Sequence, residues 1–289
     1  MPTSRAFKPL AGLAMFIASR SWTRAILRVA LKPFRMKEDK AVDLGGETLY
    51  VNSLDRLVAA HLWKHSLLSG HEARIYGDCV KPGMTVLEIG ANIGFFTLLF
   101  SRLSGETGRV IAFEPDPGNF RLLKKNIKAN GRKNTVCVGK AVSNETGTGR
   151  LFRSEEHHGD HRIFDSPDGR NSVAIETVAI DDYLTKGTTV DFIKMDIQGA
   201  EYSALLGMEK TIQNSARFVM ICEFSPGLLR QAGADPEEFL KRLKALGLTI
   251  NYLDEGKETI VPADAAELMG KCGEEGYLNL YLEKKSCTE

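Results

Sequence analysis

From residue 84 onward the apolar positions fall into short runs and amphipathic stretches that alternate regularly along the chain. Residues 85–91 (TVLEIGA) form a β-branched apolar run closing on a glycine, which predicts a strand and a tight turn. Apolar residues at helical spacing over 95–103 predict a helix, 109–115 (RVIAFEP) a second strand, and 119–130 an amphipathic helix with Gly131 in the stop position. A third strand is expected from 135 to about 143. Further on, the pattern predicts strands at 190–197 and 217–224 around a helix at 199–213, then a helix over 235–246 with Asp235 as its cap and Pro236 at its first position. The tail adds strands at 248–253 and 277–283, the last alternating like an edge or antiparallel strand. A helix is also expected at 56–68. Near-continuous apolar strands separated by helices imply an α/β, doubly wound, mostly parallel Rossmann-like sheet with an antiparallel edge strand.

The rhythm breaks over about 144–189, where a polar, turn-rich stretch (154–172) sits between strand-like runs at 150–153 and 173–180. So long a polar insertion inside a compact domain reads as a lid or substrate loop. The expected organisation is an arm over 1–40 and one α/β domain over 41–289 that carries this insertion.

Composition sharpens the division. With 289 residues, 43% hydrophobic and 26% charged, and 27 Gly against 10 Pro, collagen, coiled coil and wholesale disorder are excluded. The formal net charge of +1 hides an asymmetry: residues 1–40 hold nine basic residues against two acids (+7), and the rest holds 29 against 35 (−6). An acidic body is a poor phosphate binder, so no nucleic-acid partner is expected. The apolar run at 9–18 is too short to span a bilayer, and Arg20, Arg24 and Arg28 follow it with no small-residue cleavage site, so secretion is not expected. Arg20, Arg24, Arg28 and Lys32 recur every four residues and mark a basic amphipathic helix. Packing on the body with a solvated face is the favoured reading, and peripheral contact with an anionic membrane the alternative. Five widely spaced cysteines without a C-x-x-C pair argue against a disulfide framework and for a cytoplasmic, reducing setting.

Ligands of open α/β sheets bind beyond the carboxyl ends of the strands. The first strand ends in E-I-G-A-N-I-G-F-F-T, where Gly90 and Gly94 permit a tight turn and the next helix offers N–H groups to a carboxylate or phosphate. A dinucleotide fingerprint would need glycine where Asn92 stands, and no Tyr-x-x-x-Lys pair is present; both disfavour a nicotinamide oxidoreductase. Glu88, inside the strand, favours a cationic ligand group, and Glu114, ending the second strand, is placed to accept ribose hydroxyls. S-adenosylmethionine carries an amino-acid end and a nucleoside end and fits both acids.

These residues also resemble the FkbM-type methyltransferases: V-L-E-I-G-A-N-I-G-F-F-T (86–97), V-I-A-F-E-P-D-P (110–117) with Asn126, A-V-S-N (141–144) and V-D-F-I-K-M-D-I-Q-G-A-E (190–201). The resemblance implies methyl transfer from S-adenosylmethionine, mostly to a hydroxyl of a sugar, polyketide or other small metabolite. It places Ala91, Phe95, Thr97, Pro115, Ala141 and Val142 with the cofactor beside Glu88, Gly90, Asn92, Gly94 and Glu114. Gln198 departs from the pattern, which has an acid there.

Lys194 and Asp196, two apart on a strand, share a face near its carboxyl end. Asp196 is the expected orienter or base for the acceptor hydroxyl, with Lys194 keeping it ionised. His161 is the alternative base, and Arg162, Glu201 and Glu223 are expected on the acceptor side. The cluster His157, His158, Asp160 and His161 carries metal-ligand chemistry, but a solvated loop explains it better and no metal is expected. A non-catalytic membrane-surface module on the same fold is the rival from another class.

Overall fold

The computed structural model describes residues 39–52, 71–154, 159–166, 168–254 and 256–284; the basic arm, the predicted helix at 56–68, and His157 and His158 lie outside them. The described chain opens with a hairpin, β1 (Lys40–Asp43) and β2 (Thr48–Val51), and a helix α1 (His71–Cys79). The alternating core follows as β3 (Thr85–Ile89), α2 (Phe95–Ser104), β4 (Arg109–Phe113), α3 (Pro117–Ala129) and β5 (Thr135–Val138). Next come β6 (Ala141–Val142), β7 (Gly147–Arg153), β8 (Asn171–Val178), α4 (Ile180–Tyr183) and β9 (Phe192–Met195). The remainder is α5 (Glu201–Leu206), α6 (Glu209–Asn214), β10 (Phe218–Phe224), α7 (Pro226–Gln231), α8 (Pro236–Ala245), β11 (Thr249–Asp254), β12 (Thr259–Pro262), α9 (Ala265–Cys272) and β13 (Leu278–Lys284).

Eight strands form one sheet in the order β12-β11-β13-β10-β9-β3-β4-β5. The five from β10 to β5 run parallel. β13 is antiparallel to both neighbours, β10 and β11. The last strand is therefore interior rather than at an edge: the hairpin of β11 and β12 lies outside it, and it completes the hydrogen bonding of β10. Alternate residues of each strand feed two apolar layers. Leu87, Ile89, Ile111, Phe113, Ile193 and Met195 pack on one side, while Val86, Val110, Ala112 and Phe192 pack on the other with Tyr76, Leu98 and Phe100.

Local chemistry sets boundaries that periodicity misses. Asp116 caps α3, its Oδ1 accepting the N–H groups of Gly118 (2.8 Å) and Asn119 (2.9 Å), and Pro117 takes the first position, so this helix starts two residues earlier than its apolar pattern. The helix expected over 199–213 is two, α5 and α6, and Gly207 between them packs against the Ser143 carbonyl, where a Cβ would lie 2.0 Å from its oxygen. The strand expected over 135–143 is two, with β6 leaving the main sheet. It pairs with β8, which pairs with β7, in a second sheet of order β6-β8-β7, so the strand-like runs at 150–153 and 173–180 fall in β7 and β8 and the polar stretch connects them. No helix among the described residues is long and apolar enough to cross a membrane.

Candidate functional site

A cavity of about 310 Å³ opens at the carboxyl ends of β3, β4 and β9 and is roofed by the second sheet. Its walls include Gly90, Ala91, Asn92, Phe95, Glu114, Pro115, Ala141, Val142, His161, Lys194 and Asp196, all expected from the sequence. Glu88, Gly94, Thr97, Arg162, Glu201 and Glu223 do not line it. Leu49 of the hairpin, Asn119 of α3, Lys140, Gln198, and Leu151, Gly159 and Ile163 of the insertion line it without having been named as site residues.

The turn after β3 is fitted to its neighbours. Gly90 has φ 90°, and a Cβ there would sit 2.0 Å from the Asp196 carbonyl oxygen, so this position interlocks the ends of β3 and β9. The amides of Gly90 and Ala91 both donate to the Phe113 carbonyl (3.1 and 2.9 Å), and that of Asn92 donates to Glu114 Oε2 (2.8 Å). These three turn amides, which precede α2, are thus engaged within the protein. Asn126 on α3 fastens the turn from below: its amide nitrogen donates to the carbonyls of Ile93 (2.7 Å) and Tyr50 (3.1 Å), and its oxygen accepts the Tyr50 N–H (2.6 Å). One side chain joins hairpin, helix and turn.

Glu114 is buried, with Asn92 N–H on one oxygen and Asp116 N–H (2.8 Å) on the other. Burial pushes its pKa up to about 7, against the two backbone donors, which favour the charged form. The Asn119 side chain hydrogen-bonds this carboxylate as well, and with three donors on its two oxygens it retains accepting capacity for a ligand hydroxyl.

Glu88 does not line the cavity. It is 1% exposed, stands opposite Lys194 in the β3–β9 register, and accepts the Thr97 hydroxyl at 2.5 Å. It and Thr97 therefore pin the first turn of α2 to the sheet behind the cavity wall, and burial lifts the Glu88 pKa to about 8. Gly94 likewise makes room for Leu123 of α3, whose Cδ1 would lie 2.6 Å from an added Cβ.

On the opposite wall, Lys194 is 5% exposed, lies 4.9 Å above the Phe96 ring and donates to Asp196 Oδ2 at 3.2 Å. The Gln198 amide donates to Asp196 Oδ1 (2.9 Å) and reaches Glu223 Oε1 (3.3 Å). Burial acts to raise the Asp196 pKa, but the Lys194 ammonium and the Gln198 amide outweigh it and hold the carboxylate below its ordinary range. Burial, then the charges of Asp196 and Glu201, push Glu223 up to about 8. Where the family pattern has an acid, this chain places an amide that bridges two carboxylates.

Glu201 does not face an acceptor. Its two oxygens accept the N–H groups of Ile197 (3.0 Å) and Gly199 (2.9 Å), which holds the turn that presents Asp196, including Gln198 at φ 55°. Arg162 is also off the cavity, with its guanidinium on Asp160 (3.0 Å) and Gln231 (3.1 Å). His161 lines the cavity, but its Nδ1 accepts the Ser154 N–H (3.1 Å), so Nε2 carries the proton and lies 4.0 Å from Asp116 Oδ2. Among the described residues no group of three His, Cys, Asp or Glu side chains is placed to hold a metal.

Glu88, Glu114, Glu201 and Glu223 all titrate above the ordinary carboxylate value, at about 7 to 8. Between the unfolded value near 4.5 and these folded values the native state binds more protons than the unfolded one, so stability is greatest below the window and falls as pH rises through it. The ligand-free protein is expected to melt at progressively lower temperature from pH 5 to pH 8.5, and Glu88→Gln should flatten this slope. A melting temperature that rises across that range would contradict the four raised values.

The sequence matches the model of the FkbM methyltransferase domain over residues 88–249. It is 26% identical over 161 residues to the 2-O-methyltransferase NoeI of Sinorhizobium fredii, covering 48% of this chain and 63% of that protein. It is also 38% identical over 79 residues to the 31-O-demethyl-FK506 methyltransferase FkbM of Streptomyces tacrolimicus, covering 26% and 28% respectively. The matches thus span less than two thirds of these relatives. The solved FkbM methyltransferase of Methylobacillus flagellatus aligns with 90% of this chain and 59% of its own at 16% identity, with a TM-score of 0.43.

Proposed function

Because this chain belongs to the FkbM methyltransferase family, we propose that it is an S-adenosylmethionine-dependent O-methyltransferase whose acceptor is a hydroxyl of a small, glycan-like molecule. One observation carries this reading: a single cavity presents the Glu114 carboxylate on one wall and the Lys194–Asp196 pair on the other. The residues fit the cofactor. Glu114 would take the ribose hydroxyls, Pro115, Ala141 and Val142 supply an apolar slot beside it, and Gly90 and Ala91 form the floor between the two walls. When bound, S-adenosylmethionine supplies an electrophilic methyl group.

The protein's part is to hold the acceptor oxygen in line, exclude water and take up its proton. Asp196, kept ionised by Lys194 and Gln198, accepts the hydroxyl's hydrogen bond and is the nearest carboxylate for the proton. The Gln198 amide nitrogen joins the carboxylates of Asp196 and Glu223 beside this point, a polar group of the kind that hydrogen-bonds a polyhydroxylated acceptor. Calorimetric titration with S-adenosylmethionine, followed by label transfer from it to a panel of sugars and glycosides, tests the assignment. Binding of the cofactor with label on a hydroxyl oxygen is expected; absence of cofactor binding would overturn it.

A peripheral membrane contact by the basic arm also has an observation in its favour. Asp39, where the described chain begins, pairs with Arg121 (2.6 Å) and Lys125 (2.8 Å) on α3, so the arm leads off from a helix that itself exposes Lys124 and Lys128. The full chain is expected to sediment with vesicles containing anionic lipid, and less so as salt is raised. Equal sedimentation with purely zwitterionic vesicles would refute an electrostatic contact.

A further inference from the structure

Asp116 belongs to no wall of the cavity, yet three elements meet on its carboxylate. Oδ1 caps α3. Oδ2 lies 2.8 Å from Arg153 Nε and 4.0 Å from His161 Nε2, and the side chain is 1% exposed. Those two partners arrive together for a structural reason: Phe152 and Arg162 exchange both backbone hydrogen bonds (2.7 and 3.0 Å), which sets Arg153 at the end of β7 opposite His161 on the returning chain. The backbone N–H of Asp116 is in turn one of the two donors that aim Glu114.

The other donor, Asn92, is approached by the same segment, because an added Cβ on Gly159 would lie 3.5 Å from the Asn92 amide nitrogen. The second sheet thus reaches both supports of the Glu114 carboxylate, and its firmest hold is ionic. A buried carboxylate that loses a cationic partner shifts or reorganises, since its charge is then poorly compensated. Movement at Asp116 would be passed to Glu114 through the Asp116 N–H hydrogen bond to its Oε1 (2.8 Å).

We propose that Asp116, paired with Arg153 beside His161, is a positioning residue through which the second sheet sets the affinity of the Glu114 side of the cavity for the nucleoside end of the cofactor. The proposal rests on the S-adenosylmethionine reading above. Arg153 is 39% exposed, so Arg153→Met removes the charge with little disturbance of packing, and Asp116→Asn keeps an oxygen for the cap.

The test is calorimetric titration of wild type, Arg153→Met, Arg153→Lys, Asp116→Asn and the Arg153→Met/Asp116→Asn double variant with S-adenosylhomocysteine, with kcat and KM for S-adenosylmethionine measured alongside. Each of Arg153→Met and Asp116→Asn is expected to weaken binding about tenfold, in KM rather than kcat. Arg153→Lys should recover most of the loss, and the double variant should be no weaker than the worse single one, because both break one interaction. Wild-type affinity in both single variants, or losses that add in the double variant, would overturn the proposal. If wild type itself binds no cofactor, the underlying reading fails instead, and the two failures are told apart by the wild-type titration alone.

Discussion

Asp196→Asn is expected to slow methyl transfer by about a thousandfold while changing the cofactor dissociation constant by less than about threefold. Oδ2 receives the Lys194 ammonium and Oδ1 the Gln198 amide, so the carboxylate is both ionised and fixed in direction at the cavity. A carboxylate held below its ordinary pKa is a weak base, which means that orientation of the acceptor hydroxyl supplies much of the effect and late proton uptake the rest. In the variant, one side of the amide presents N–H groups toward Lys194 or Gln198, both donors, so the same contacts cannot be rebuilt. Lys194→Met should cost less than Asp196→Asn because Gln198 continues to hold the carboxylate. Single-turnover rates with saturating cofactor measure this directly, and a variant within tenfold of wild type would remove Asp196 from the chemistry.

The strand–helix alternation from residue 84 onward was legible because each buried strand is a dense apolar run and each helix carries one apolar stripe, signals that depend on near neighbours in sequence. The position of β13 was not. Its alternation is equally suited to an edge, and only its pairing with β10 on one side and β11 on the other, both distant in sequence, makes it interior. The strands of the second sheet were legible as the runs flanking the polar stretch, but their pairing was not, because it joins β7 to β8 across that stretch and β8 to β6 more than thirty residues earlier.

At the candidate site, glycines and acids at strand ends were readable by type, but not by the direction in which each side chain points. Glu88 and Glu114 look alike in sequence, each an acid near the end of an apolar strand. Glu88 lies within its strand and turns to the face shared with Lys194 and Thr97, whereas Glu114 stands one residue beyond its strand, where two loop amides orient it toward the cavity. Glu201 and Arg162 misled in the same way, since their partners are backbone amides of a turn and side chains of other segments. Leu49 had no local signal at all; it reaches the cavity because Asn126 and Asn130, on a helix more than seventy residues later, hold the hairpin there.

The contrast between these two acids leads to the second large effect, in cofactor affinity. Glu114→Gln is expected to weaken binding of S-adenosylmethionine about a hundredfold, because hydrogen bonding of the ribose to a charged acceptor is replaced by contact with a neutral amide. The amide also turns one N–H2 toward either Asn92 N–H or Asp116 N–H, two donors facing a donor. A pH signature separates this from a general loosening. Burial sets the Glu114 pKa at about 7, and ribose binding favours the ionised form, so wild-type affinity should rise as pH climbs from 6 to 8, with up to one proton released per cofactor bound. Glu88 and Glu223, with values near 8, remain in the variant and their contribution to the profile stays. The difference between the wild-type and Glu114→Gln profiles therefore isolates the Glu114 titration. Parallel profiles, with affinity shifted equally at every pH, would mean that Glu114 shapes the site without touching the ribose.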